Sequence, residues 1–217
     1  MKSLISTIAI FISFTFQTAQ AQEGNWTISK ALTMDGKPYT GTVKISKLGD
    51  VWQIDWQTNE GNYQGLGIKK GNEIYAGWGG DKGFGVVVYQ EKDGKLFGEW
   101  TFSNSKGMIG EEWIPASSFK NMEGSFTVTG KYPVKKGDYT GLISIVKNGD
   151  IYDVSWTTGK DIYYGIGILY EKYFVVGWSY DYGFGVIEYK FSGKKAKGKW
   201  SSTGRKTISF ENLKKSK

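Results

Sequence analysis

Shifted by 100 residues, the chain aligns with itself without a gap, and no other feature constrains its fold as tightly. Tyr39-Thr40-Gly41 returns as Tyr139-Thr140-Gly141, Gly49-Asp50 as Gly149-Asp150, and Gly77-Trp78 as Gly177-Trp178. The longest match sets Asp81-x-Gly83-Phe84-Gly85-Val86 against Asp181-x-Gly183-Phe184-Gly185-Val186. Trp56, Tyr63, Tyr89, Gly98, Trp100, Lys106 and Glu111 recur as Trp156, Tyr163, Tyr189, Gly198, Trp200, Lys206 and Glu211. A duplicated unit of this length is a domain and not a short solenoid repeat. The expected organisation is therefore one domain over 22–116 and a second over 117–217.

Within each unit the apolar pattern has a period of two. Trp52, Ile54 and Trp56 alternate with Gln53 and Asp55, as Tyr152, Val154 and Trp156 do with Asp153 and Ser155, which is the signature of a half-buried strand. Further candidate strands at 25–32, 39–47, 62–69, 73–78, 84–90, 95–102 and 108–114 bring each unit to eight. Turn pairs such as Asp35-Gly36, Asp93-Gly94 and Asn148-Gly149 separate them, and such pairs favour tight antiparallel connections. The predicted fold is all-β, two tandem antiparallel domains, each an eight-stranded up-and-down barrel that removes its edges by closing. A β-sandwich is the alternative.

Residues 1–21 combine Lys2, an apolar run from Leu4 to Phe16 and the small-x-small ending Ala19-Gln20-Ala21, the layout of a secretory signal peptide. Export to the periplasm or the extracellular space is the expectation. No later segment reaches the roughly 20 apolar residues of a spanning helix, so a membrane-spanning chain is not expected. With no cysteine, no disulfide can brace either domain, and the core must come from the aromatic residues, 16% of the chain. The net charge of +7 is uneven: residues 24–116 hold 10 lysines against 11 acids, and residues 117–217 hold 17 Lys and Arg against 9 acids. An exported basic unit points to an anionic envelope surface as partner rather than to nucleic acid.

The chain has neither histidine nor cysteine, so the commonest general base, the thiol nucleophile and the imidazole metal ligand are all missing. Carboxylates remain: Glu111 and Glu211 recur in phase with Trp113 and Leu213 and form, with Asp81 and Asp181, a candidate polar site; each glutamate is read as a buried group paired with Lys106 or Lys206 or as a hydrogen-bonded barrel-end residue. Asp81 and Asp181 belong to a glycine-rich stretch, Gly77 to Gly85 in the first unit, that lacks the spacing of a phosphate loop and reads as a hairpin. No cluster suits a metal, and no cofactor or catalytic residue is expected. The most informative set is the repeated tryptophans Trp56, Trp78, Trp100, Trp156, Trp178 and Trp200, with Tyr63 and Tyr163 beside them. Gathered together they would line a pocket for a small apolar molecule or a glycan; dispersed, they are core.

Gly24-Asn25-Trp26 opens the first strand and resembles the Gly-x-Trp start of the calycin barrels, which include lipocalins and avidins; the second unit departs from it with Gly124-Ser125-Phe126. The run of Tyr-x-Gly, Gly-x-Gly and Gly-x-Trp motifs also resembles small secreted bacterial proteins of uncharacterised function. The calycin likeness implies a ligand-holding barrel without implying which ligand.

Overall fold

The computed structural model describes residues 22–216; the expected signal peptide at 1–21 lies outside the described residues. The first unit forms β1 (Gly24–Ala31), β2 (Gly41–Leu48), β3 (Val51–Thr58), β4 (Gly61–Lys70), β5 (Glu73–Gly79), β6 (Phe84–Lys92), β7 (Lys95–Phe102) and β8 (Gly110–Ile114). After a 3-10 turn at Phe119–Asn121, the second unit forms β9 (Gly124–Lys131), β10 (Asp138–Asn148), β11 (Ile151–Thr158), β12 (Asp161–Leu169), β13 (Phe174–Ser179), β14 (Gly185–Ser192), β15 (Lys195–Ser202) and β16 (Ser209–Lys215). All pairings are antiparallel and close into two eight-stranded barrels, as the alternating pattern predicts.

The barrels do not follow the repeats. Barrel two is the uninterrupted meander β6 to β13, closed where β13 pairs with β6. Barrel one consists of β1 to β5 and β14 to β16, closed where β5 pairs with β14 and where β1, near the start of the described chain, pairs with β16 near its end. Each barrel thus takes five strands from one repeat and three from the other, and the expected domains 22–116 and 117–217 are units of sequence, not of folding. Residues 84–179 form a contiguous barrel inserted into a discontinuous one.

The physical reason lies in the glycine-rich stretch expected to be a hairpin. β5 and β6 do not pair with each other; residues 80–83 instead carry the chain from barrel one to barrel two, and residues 180–184 carry it back. The two links are tied by Lys82 to Asp181 at 2.9 Å and by the Ser179 hydroxyl donating to the Gly83 carbonyl at 2.8 Å. Where the barrels touch, a Cβ on Gly77 would lie 2.1 Å from the Gly85 carbonyl oxygen and 3.1 Å from Gly177 Cα; one on Gly177 would lie 2.2 Å from the Gly185 carbonyl oxygen. These glycines let backbones approach where any side chain would hold them apart. The longest sequence match is therefore the crossing point of the fold.

Alternation places one residue set inside each barrel. Trp26, Ile45, Ile54, Ile74, Tyr189 and Leu213 are among those that fill barrel one, and Tyr89, Ile114, Ile143, Ile145, Phe174 and Val176 are among those in barrel two. A third core lies between the barrels. There Ile68, Tyr75 and Val186, facing out of barrel one, pack on Val88, Ile166 and Val175, facing out of barrel two, and burying each such side chain contributes about 1.5–3 kcal/mol.

Candidate functional site

Strand direction decides whether the repeated tryptophans gather. In a closed antiparallel barrel every second strand runs the same way. β3, β5 and β15 are such alternate strands, and Trp56, Trp78 and Trp200 lie near their C-terminal ends. The three rings therefore meet at one mouth, with Trp56 and Trp78 centroids 6.1 Å apart and Trp78 and Trp200 centroids 5.9 Å apart. Barrel two repeats the arrangement with Trp156 from β11, Trp178 from β13 and Trp100 from β7. Each triad draws two tryptophans from one repeat and one from the other.

Each triad lines a cavity. In barrel one its volume is about 420 Å³, and Tyr39, Tyr63 and Glu211 join the tryptophans in its walls. In barrel two it is about 140 Å³, with Tyr139, Tyr163 and Glu112 in the same places. Tyr132, Phe102 and Tyr180 line the second cavity, where barrel one has the smaller Leu32, Ser202 and Gly80 at the positions matched by the repeat. The wider cavity has a polar rim instead, with Glu60, Thr58, and Arg205 paired to Asp35 at 3.0 Å.

A buried carboxylate anchors both cavities. Glu211, 3% exposed, accepts from the Tyr39 hydroxyl at 2.6 Å, from the Trp56 indole N–H at 3.1 Å and from the Tyr189 hydroxyl. In barrel two the corresponding acid is Glu112, accepting from Tyr139 at 2.6 Å and from Tyr89. Burial raises both carboxyl pKa values above the ordinary carboxylate range, while the phenol and indole donors pull the other way. Burial and the neighbouring carboxylates together raise the pKa of all four tyrosine hydroxyls, which stay protonated and donate.

Glu111, paired with Glu211 by the 100-residue shift, is not its structural counterpart. It faces outward on β8 and its carboxylate lies 3.8 Å from Lys131 Nζ. Opposite Gly98 stands Glu112, and opposite Gly198 stands Glu211, so one residue has been lost from the second unit between Trp200 and Glu211. The acid in phase with inward Ile114, not with outward Trp113, is the buried one; that signal lies in the alternation. The expected Lys106 and Lys206 partners are replaced by tyrosines. Asp81 and Asp181 sit in the links between barrels and line neither cavity. Tyr63 stands at the first rim, its hydroxyl donating to the Glu60 carbonyl at 3.0 Å, and Tyr163 packs 5.5 Å from Trp178.

Among the described residues no group of three or more histidine, cysteine or acidic side chains is placed to hold a metal ion, and no helix is long and apolar enough to cross a membrane. The chain matches no known family, no curated protein and no solved structure. Trp26 of the Gly-x-Trp opening is wholly buried in barrel one, its indole N–H donating to the Gln22 carbonyl at 2.9 Å.

Proposed function

We propose that the chain is an exported, non-enzymatic binding protein that holds a small ligand, an apolar molecule or a glycan, in the aromatic cavities of its two barrels. The reading is carried by one observation: two cavities, each walled by the same three tryptophans, two tyrosines and buried glutamate, although the chain assembles each from both repeats. Side chains that only pack a core leave few voids larger than a water molecule between them. Indole faces stack on sugar rings or apolar groups, and the polar rim of the first cavity supplies hydrogen-bonding groups suited to hydroxyls. Both glutamates are engaged by tyrosine donors, which suits a structural anchor better than an acid–base catalyst. Equilibrium binding by the mature chain tests the reading. The double variant Trp78→Ala, Trp178→Ala loses affinity for the natural ligand, and unchanged affinity in that variant overturns the proposal.

A second reading, attachment to an anionic envelope surface, is favoured by a specific feature of barrel one. Gly185 to Ser216 holds nine Lys and Arg against two acids. Lys195, Lys197 and Lys199 alternate outward along β15, with Lys190 opposite Lys197 and Lys214 opposite Lys195. The basicity of the second repeat thus lies on the outer wall of barrel one, where barrel two carries Lys95, Phe97 and Glu99 at the matching positions of β7. Salt separates the readings: association through this wall weakens steeply with ionic strength, whereas pocket binding does not.

A further inference from the structure

We infer that the cavity of barrel two is an aromatic cage for a methylated ammonium head group, a specialisation that barrel one lacks. The inference rests on reading the cavities as binding sites and goes further by naming the ligand chemistry of one of them.

The walls form two corners of steeply inclined rings. On one side Trp100 meets Tyr139 at 6.0 Å and 85°, and Tyr132 at 6.4 Å and 69°. On the other, Trp178 meets Tyr163 at 5.5 Å and 82°, and Tyr180 at 5.8 Å and 75°. Trp156 and Phe102 add two further rings, and Val87, Thr158 and Glu112 complete the lining. A cation held among such rings is attracted by several π-faces at once, and quaternary ammonium groups are the ligands that cages of this kind recognise.

Charge and size agree with that chemistry. The lining contains one carboxylate, Glu112, and no lysine or arginine, whereas Arg205 lines the first cavity. The chain is rich in lysine and uses it on its own rings: Lys92 covers Phe97 and Lys131 covers Trp113 on outer walls, and Lys47 and Lys69 flank Trp52, a core residue of barrel one. Of the rings lining the second cavity, only Tyr132 has a lysine over it among the described residues, Lys135 at 4.0 Å. A volume of about 140 Å³ is below the roughly 300–1,000 Å³ of sites for drug-sized ligands and suits a single head group. The three rings absent from barrel one, where Leu32, Ser202 and Gly80 stand instead, are those that turn a cavity into a cage.

The test uses the mature chain with choline and its uncharged carbon isostere 3,3-dimethylbutan-1-ol, followed by calorimetry and by the indole N–H resonances. Choline binds at least about tenfold more tightly than the isostere, and it shifts the Trp100, Trp156 and Trp178 resonances while leaving those of Trp56, Trp78 and Trp200 in place. Tyr180→Leu keeps an apolar group at a half-exposed position outside the core and so preserves the fold; it weakens choline binding severalfold without affecting the isostere. Equal affinity for the two compounds, no saturable choline binding, shifts confined to barrel one, or an unchanged choline affinity in Tyr180→Leu each overturn the cage. If any of these occurs while another small molecule is retained in a Trp178-dependent way, the cage falls and the pocket reading stands.

Discussion

Tyr39 donates its hydroxyl to Glu211 at 2.6 Å across 172 residues of chain, while the same bond in the other barrel, Tyr139 to Glu112, also 2.6 Å, spans 27. The two barrels share one interior and differ in how the chain closes it. Barrel one is completed only when β1 and β16 have met.

Removing either carboxylate leaves two buried tyrosine hydroxyls without their acceptor, while the Trp56 indole N–H in barrel one keeps the Tyr189 hydroxyl at 2.8 Å. Glu211→Ala and Glu112→Ala each lower unfolding stability by about 2–4 kcal/mol. Glu111→Ala, on the outer wall, changes it by less than about 0.5 kcal/mol. Chemical denaturation of the three variants checks the assignment, and a larger loss from Glu111→Ala contradicts it.

The pH dependence of stability has a definite sign. The folded-state pKa values of both buried glutamates are raised above the ordinary 4.5 by burial, so the folded chain binds more protons than the unfolded chain in that interval. Their stabilising contribution is complete below the unfolded value and is lost as pH rises through the folded values. As pH rises from the ordinary carboxylate value through the raised folded values, the wild type therefore loses stability relative to a Glu112→Gln, Glu211→Gln variant. Melting curves of both across that range show it, and a relative gain by the wild type contradicts it.

Barrel two is contiguous and owns a complete core, so residues 84–179 expressed alone fold to a monomeric β-protein. Residues 22–116 contain five strands of one barrel and three of the other, and do not close as a monomer; they stay unfolded or exchange strands in a dimer. Circular dichroism with light scattering distinguishes these outcomes. A stable monomer of 22–116 contradicts the interleaved topology.

Gly77→Ala and Gly177→Ala each place a methyl group about 2 Å from a carbonyl oxygen of the neighbouring strand, so something must shift. The expected loss is about 3 kcal/mol or more for each, measured by denaturation. A neutral result contradicts the close approach at the crossing.

Much of this was legible in the sequence. Alternation around Trp52, Ile54 and Trp56 marked the strands, and the turn pair Asp93-Gly94, with φ of 51° and 69°, marked a tight hairpin of the kind that two positive φ angles allow. The exchange of strands was not legible, because the repeat reads the same in either arrangement: β14 matches β6 whichever barrel it joins. Glu112 was hidden by the loss of one residue near the end of the second copy, which aligned Glu211 with the wrong member of a Glu-Glu pair. That the tryptophans share a mouth follows from strand parity in either arrangement; which tryptophan completes each triad required knowing that β15, and not β7, belongs to barrel one.

Whether both barrels enclose ligand is measured directly by native mass spectrometry of residues 22–217, purified gently from the compartment in which the chain accumulates. A discrete added mass is expected on the wild type, reduced in Trp178→Ala or Trp78→Ala and lost when both are combined. A wild-type chain found only at its sequence mass, unchanged after incubation with choline and with oligosaccharides, contradicts it.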